Sequence, residues 1–169
     1  TELDRALGEE ISLAGASFLT PDKLGRFRYG STMVNLTADA VAPGGHLVVQ
    51  DYDIRSAGVL PPLGSVSELL RVITAAFTAA GCDVHAGSHL AQLFAQAGAG
   101  SPDGTDVASR IEPLATGRAM LQSTFLSVLP AALASGITTR TDADAALAAI
   151  GRDATRHADR PVLWPLLIG

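Results

Sequence analysis

Asp51, Tyr52 and Asp53 set two carboxylates on either side of a phenol within three residues. Carboxylates so placed can orient a hydroxyl or an amine, or take its proton. They follow His46-Leu47-Val48-Val49-Gln50, a short β-branched apolar run entered from Pro43-Gly44-Gly45, which reads as a strand buried on both faces. A polar cluster at the carboxyl end of such a strand lies where open α/β sheets bind their ligands. The competing reading is that Asp51 or Asp53 caps the next loop by accepting its backbone amides. His85 and His89 stand four apart, the spacing of a metal pair on a helix. Gly87 lies between them and no third ligand is evident, so a surface or pocket-lining role is expected and no metal. Trp164 suits an apolar pocket wall or the core. Cys82 is the sole cysteine and has no cationic neighbour in sequence, as an inert thiol would. Gly98, Gly100 and Gly104, with Pro102 among them, follow a helix and read as a turn, not as a phosphate-cradling loop.

The elements that must hold these residues are legible in outline. Leu3, Leu7, Ile11 and Leu13 mark an amphipathic helix over 2–14, and Thr20-Pro21-Asp22 starts a brief second helix over 21–27. A third spans 32–42 and stops at Pro43-Gly44-Gly45. After a Pro/Gly-rich loop over 54–64, Ser65 with Glu68 forms a capping box for a helix closed by Gly81. Val66, Leu69, Leu70, Ile73 and Phe77 make its apolar stripe. A shorter helix runs over 88–97 and a strand over 107–112. Residues 116–134 are helical, with a kink or restart at Pro130 and an apolar stripe of Met120, Phe125, Leu126 and Leu129. That stripe is either plain core or a lid over a pocket. A helix over 142–150, capped near Thr139 or Thr141, precedes a terminal strand over 162–168 in which Pro165 implies an edge or a bulge. The succession of helices and strands means α/β.

Composition limits what such a fold can do. Twelve Lys and Arg against seventeen Asp and Glu give a net charge of −5. Only Lys23 is a lysine and the arginines are dispersed, so a nucleic-acid footprint is excluded. The apolar fraction of 47% over 169 residues supplies a buried core. No apolar run approaches the ~20 residues of a membrane span. The acidic opening TELDRALGEE is unlike a signal peptide, and one cysteine fits a reducing cytoplasm.

Residues 43–53, PGGHLVVQDYD, resemble the fifth-strand region of class I S-adenosylmethionine (SAM)-dependent methyltransferases, where a Pro-Gly-Gly turn leads into a buried strand tipped by an acidic or aromatic residue. The downstream order of elements agrees over about residues 32–169. The resemblance implies the C-terminal part of a Rossmann-like α/β sheet, mostly parallel, with its last strand antiparallel. It also implies a two-helix insertion between the final two strands, serving as an acceptor lid. Residues 1–30 then form an N-terminal helical segment and 31–169 the methyltransferase-like domain. The implied activity is methyl transfer from SAM to a small-molecule acceptor, in a cytoplasmic enzyme that forms a homodimer. Asp51 and Asp53 would orient or deprotonate the acceptor, and Tyr52, His85, His89 and Trp164 would line its pocket.

The departures from the family are as informative. Its glycine-rich loop after the first strand, and its acid at the tip of the second, have no counterpart in the 42 residues before Pro43. Those residues could not hold four strands with crossovers at ~30 residues per βαβ unit. Either the chain is a half-domain, or the cofactor half is missing between about residues 24 and 32. On the second view, residues 19–24 resemble the helix before the family's first strand and 31–42 the helix before its fifth. The alternative function is a truncated, non-catalytic module for binding or oligomerisation, its open sheet edge covered by a partner. An unrelated α/β binding domain is the third reading.

Overall fold

The computed structural model describes residues 49–96, 98 and 100–169. The helices expected over 2–14, 21–27 and 32–42, the N-terminal segment 1–30 and the start of the 46–51 strand lie outside them. Among the described residues the architecture is α/β, with four α-helices and two small three-stranded sheets. They fall into two compact units: Asp53–Val84 with Ala108–Leu166, and a smaller one of 49–52, His85–Val107 and Leu167–Gly169.

The larger unit is built on three helices, α1 (Gly64–Ala79), α3 (Leu114–Ala134) and α4 (Arg140–Arg156). α2 (Ala86–Gln96) belongs to the smaller unit. On α3, Leu114, Gly117, Leu121, Phe125, Leu129 and Ala132 are buried at helical spacing. They meet Leu69, Val72 and Ile73 of α1 and Ala143, Ala146 and Ile150 of α4 in one core. The expected stripe over 120–129 is therefore core and not lid, with one exception: Leu126 is 51% exposed. α3 runs on through Pro130 as one helix. Pro130 and Leu126 are both exposed, so water can reach the Leu126 carbonyl, whose helical donor the proline ring removes.

Helix ends explain much of the local folding. α1 closes on Gly81 at φ +82°, with Gly81 N–H donating to Thr78 O and Cys82 N–H to Phe77 O. α3 closes identically on Gly136 at φ +68°, through Leu133 O and Ala132 O. Both are Schellman ends, where only glycine takes the left-handed turn cheaply. α4 starts on Thr139, whose Oγ1 accepts the Asp142 amide at 3.1 Å, one of the two caps expected. The capping box expected at Ser65 does not form. α1 starts one residue earlier, after Leu63, and Ser65 Oγ donates instead to Asp153 Oδ2 of α4 at 2.6 Å. Glu68 turns to Arg71, bonded at 2.7 and 2.8 Å. A tertiary partner took Ser65 from the helix end, and a neighbour in the same helix took Glu68.

β2 (Gly58–Val59), β5 (Pro161–Leu163) and β4 (Ile111–Pro113) form one antiparallel sheet in the order β2-β5-β4. Gly58 faces Leu163, Val59 and Glu112 face Val162, and Ile111 also faces Leu163. Val162 is fully buried against Gly117, where an added Cβ would come within 3.2 Å of the Val162 Cβ. α3 thus packs closely on β5. The first amides of α3, at Leu114 and Ala115, donate to Arg160 O and Ala158 O.

The other sheet, in the order β1-β6-β3, joins β1 (Asp51–Asp53), β6 (Leu166–Ile168) and β3 (Val107–Ala108). Asp106 and Gly169 exchange N–H···O bonds of 2.6 and 3.0 Å, the pairing of antiparallel neighbours. The strands expected over 107–112 and 162–168 are each cut in two, and the halves pair in different sheets. Pro165 cannot donate to a ladder, which accounts for the second break.

Phe125→Ala should cost about 3–5 kcal/mol by leaving a cavity among three helices, read as a lower midpoint in urea at unchanged slope. The Arg71 hydrogen bond holds the Glu68 carboxyl below its ordinary value of 4.5. A depressed folded-state value contributes stability above 4.5 that is lost as pH falls through it. Both side chains are more than a third exposed, so the amount is at most about 0.5 kcal/mol. Glu68→Gln should lower stability slightly at pH 7, and the difference from the parent should shrink as pH falls from 4.5 through the depressed value.

Candidate functional site

The acids do not stand beyond the carboxyl end of a buried strand; they are the strand. β1 consists of Asp51, Tyr52 and Asp53, and its residues alternate half-buried, exposed, half-buried. Strand geometry turns Asp51 and Asp53 to one face and Tyr52, 38% exposed, to the other. The expectation of a strand sandwiched on both faces is corrected to this extent: Val49 and Gln50, its last apolar and first polar residues, are irregular here, with Val49 half-buried and Gln50 exposed. Asp51 Oδ1 accepts its neighbour's amide, Tyr52 N–H, at 2.7 Å. That is local capping of the kind weighed against a functional role, and it also fixes the carboxylate's direction. Asp53 precedes a 3-10 turn (Ile54–Ser56) without a side-chain cap bond to it, while its carbonyl accepts from Ser56 Oγ at 2.6 Å. Ser56 Oγ in turn accepts Leu166 N–H at 2.7 Å, tying the turn to the start of β6.

In the smaller unit, one contact seats the helix that carries His89 on Asp51 and Tyr52. Gly87, in the first turn of α2, presses on β1 so closely that a Cβ there would lie 2.4 Å from Asp51 O and 3.1 Å from the Tyr52 carbonyl carbon. His85 and His89 flank this glycine, their ring centroids 6.0 Å apart and tilted by 49°. His85 is half-buried and its carbonyl accepts the His89 amide at 3.1 Å, so it heads the helix, while His89 is exposed. α2 begins two residues before the expected position, which brings both histidines to its N-terminal turn. No group of three His, Cys, Asp or Glu able to hold a metal is found among the described residues.

Trp164 belongs to the larger unit and has other company. Its amide donates to Arg110 O at 2.9 Å, its carbonyl accepts Ser109 Oγ at 2.9 Å, and the Arg110 guanidinium lies 5.5 Å from its ring centroid. Arg110 is also ion-paired with Glu112. The indole Nε1 is buried and has no hydrogen-bond partner among the described residues. Trp164 is thus a half-buried hinge between β5 and β6, held by residues 109–112 that sequence reasoning did not single out. The signal for Arg110 was faint, an arginine two residues from a glutamate on a strand. The signal for Gly87 was plainer: a glycine inside a helical turn, where it is disfavoured unless something approaches closely.

The 59–63 loop is pinned by Leu60 N–H to Pro161 O and by Arg160 to Pro61 O, both at 3.1 Å. Pro61 and Pro62 are themselves exposed. Cys82 is half-buried at the Schellman end of α1. No helix among the described residues is long and apolar enough to cross a membrane. No protein-family model matches the chain, and neither a curated protein nor a solved structure does.

Trp164→Phe removes the unpartnered indole N–H along with some ring area, so its cost should stay below about 1.5 kcal/mol. Trp164→Ala, which also abandons the stacking and leaves a void, should cost about 3 kcal/mol or more. Trp164 is the one tryptophan, so its fluorescence reports unfolding of the parent, and circular dichroism serves for both variants.

Proposed function

We propose that this chain is the acceptor-handling part of a class I SAM-dependent methyltransferase that acts on a small molecule. The observation that carries the reading is the strand order β1-β6-β3: the final strand returns to lie between the acid-bearing strand and the strand near residue 107. This is what a Rossmann-like sheet with a returning antiparallel last strand would present at that edge. Two helices, α3 and α4, stand between β4 and β5, where the insertion is expected. The core role of those helices argues that they brace the sheet and do not open as a lid.

Among the described residues none is assigned to SAM. Gly98, Gly100 and Gly104 follow α2 with open space around them, and the space a Cβ would take at Gly87 is filled by the backbone of β1. No step through the cofactor is derived from them. Their part is the acceptor. Asp51, which accepts the Tyr52 amide, presents a carboxylate on β1. Such a group can receive a hydrogen bond from an acceptor hydroxyl or amine and take its proton. Positioning is the larger share of the work in an in-line displacement. A cytoplasmic enzyme and a homodimer belong to the same reading.

Calorimetric titration of the chain with SAM and with S-adenosylhomocysteine tests it. Saturable heat with either is expected, and in that case Asp51→Asn should slow methyl transfer by about 10²-fold or more. A folded chain that takes up neither compound would overturn the reading in favour of a non-catalytic binding or oligomerisation module.

A further inference from the structure

We infer that β4 is a self-pairing edge, and that a second copy of this chain docks on it through an antiparallel β4–β4 contact centred on Ile111. The inference goes beyond the proposed function and does not rest on it, since it uses the β2-β5-β4 sheet alone. Among the described residues β4 is an outer strand of that sheet. β5 takes the bonds of alternate residues along it: Trp164 N–H donates to Arg110 O, and Leu114 N–H donates to Arg160 O. Glu112, midway between them and opposite Val162, has the same orientation. The backbone groups of Ile111 and Pro113 therefore point away from β5. Pro113 has no N–H, and its carbonyl already accepts Thr116 Oγ1 at 3.1 Å. Ile111, 69% exposed, keeps both an outward N–H and an outward C=O for another strand.

The charges on β4 specify which strand that is. Two copies related by a two-fold axis present the same surface to each other. Because outward residues must meet outward residues, the axis can pass through position 110, 111 or 112. An axis at 110 sets Arg110 against its own copy, and one at 112 does the same to Glu112; like charges directly opposite are unfavourable. The axis at 112 also gives the Ile111 carbonyl a proline in place of a donor. Only the axis at Ile111 sets each Arg110 against the other copy's Glu112 and lets the two Ile111 residues exchange both backbone bonds. Arg110 and Glu112, ion-paired within one chain, lie on the face toward α3, where the Glu112 Cβ is 3.5 Å from a Cβ built on Gly117. Pairing turns that ion pair into a cluster of four charges of alternating sign. Ile111 projects from the other face, across from Leu163, and meets its own copy there, which takes two exposed apolar side chains out of water.

The contact is short and the dimer correspondingly weak, so the test is sedimentation velocity on the full chain over about 10 μM to 1 mM. The parent should pass from monomer to dimer within that range. Ile111→Pro removes the outward donor and none of the bonds to β5, so it should fold like the parent by circular dichroism and dimerise about tenfold more weakly or less still. Should it not fold, Ile111→Lys, at an exposed position, sets like charges opposite each other and should weaken the dimer to a similar degree. Ile111→Cys reads the register. Opposed residues of a hydrogen-bonded pair have Cα atoms about 5.5 Å apart, within disulfide reach. Mild oxidation should link position 111 of the two copies faster than it links Leu126→Cys, whose site on α3 is also exposed. A parent that stays monomeric overturns the inference and leaves the edge to a strand of another protein. A dimer that persists undiminished in the folded Ile111 variants, or Leu126→Cys linking as fast as Ile111→Cys, overturns it by placing the contact elsewhere. A chain that dimerises without SAM uptake keeps the interface and loses the methyltransferase reading, and a monomer that binds SAM does the reverse.

Discussion

Two breaks in the chain, at Ser109-Arg110 and at Trp164-Pro165, are bonded to each other, and the sheet structure depends on that bond. Trp164 N–H donates to Arg110 O, Ser109 Oγ donates to Trp164 O, and the Arg110 guanidinium lies over the indole. On one side of the breaks, β4 and β5 pair over Ile111–Pro113 and Pro161–Leu163. On the other, β3 and β6 take their places in the β1-β6-β3 sheet. A strand that changes sheets must leave some backbone groups without ladder partners, and buried ones are costly. Here main-chain and hydroxyl bonds between the two breaks satisfy them, and a proline, which has no amide to satisfy, occupies one of the sites.

The helices of the larger unit answer a different constraint, the burial of an unusually apolar α3. It buries Leu114, Gly117, Leu121, Phe125, Leu129 and Ala132, which needs neighbours along its whole length. α1 and α4 supply two, and β5 a third through the close approach of Val162 to Gly117. The polar groups within this packing are matched in pairs: Ser65 with Asp153, and Arg71 with Glu68 and the Ile137 carbonyl just past the end of α3. A cation placed there also meets the negative end of the helix dipole. The result is a framework whose stability resides in apolar contact, with ion pairs of minor weight at the surface.

The candidate site in the smaller unit has the opposite character. It is made from backbone proximity, Gly87 against Asp51 and Tyr52, and from side chains that are half-buried or exposed. Sites of this kind rely on a rigid support to hold polar groups that contribute little to folding themselves.

Sequence alone determined the features that depend on neighbours along the chain. The Gly81 helix end, the Thr139 cap, the inward spacing of Leu69, Ile73, Phe125 and Leu129, and the presence of strands near 107 and 162 all follow from local backbone preference and periodicity. The importance of the Asp51-Tyr52-Asp53 cluster and of the His85/His89 pair was visible as composition, but not their relation. Tertiary structure decided the rest. It took Ser65 from a capping box because Asp153 was a nearer partner, divided two strands between two sheets, and extended pairing to Gly58-Val59, too short to show a pattern. It also seated a helix on a strand through Gly87, and gave Trp164 its partner in Arg110. These contacts join residues up to about a hundred positions apart, and no periodicity within a window of a dozen residues can register them.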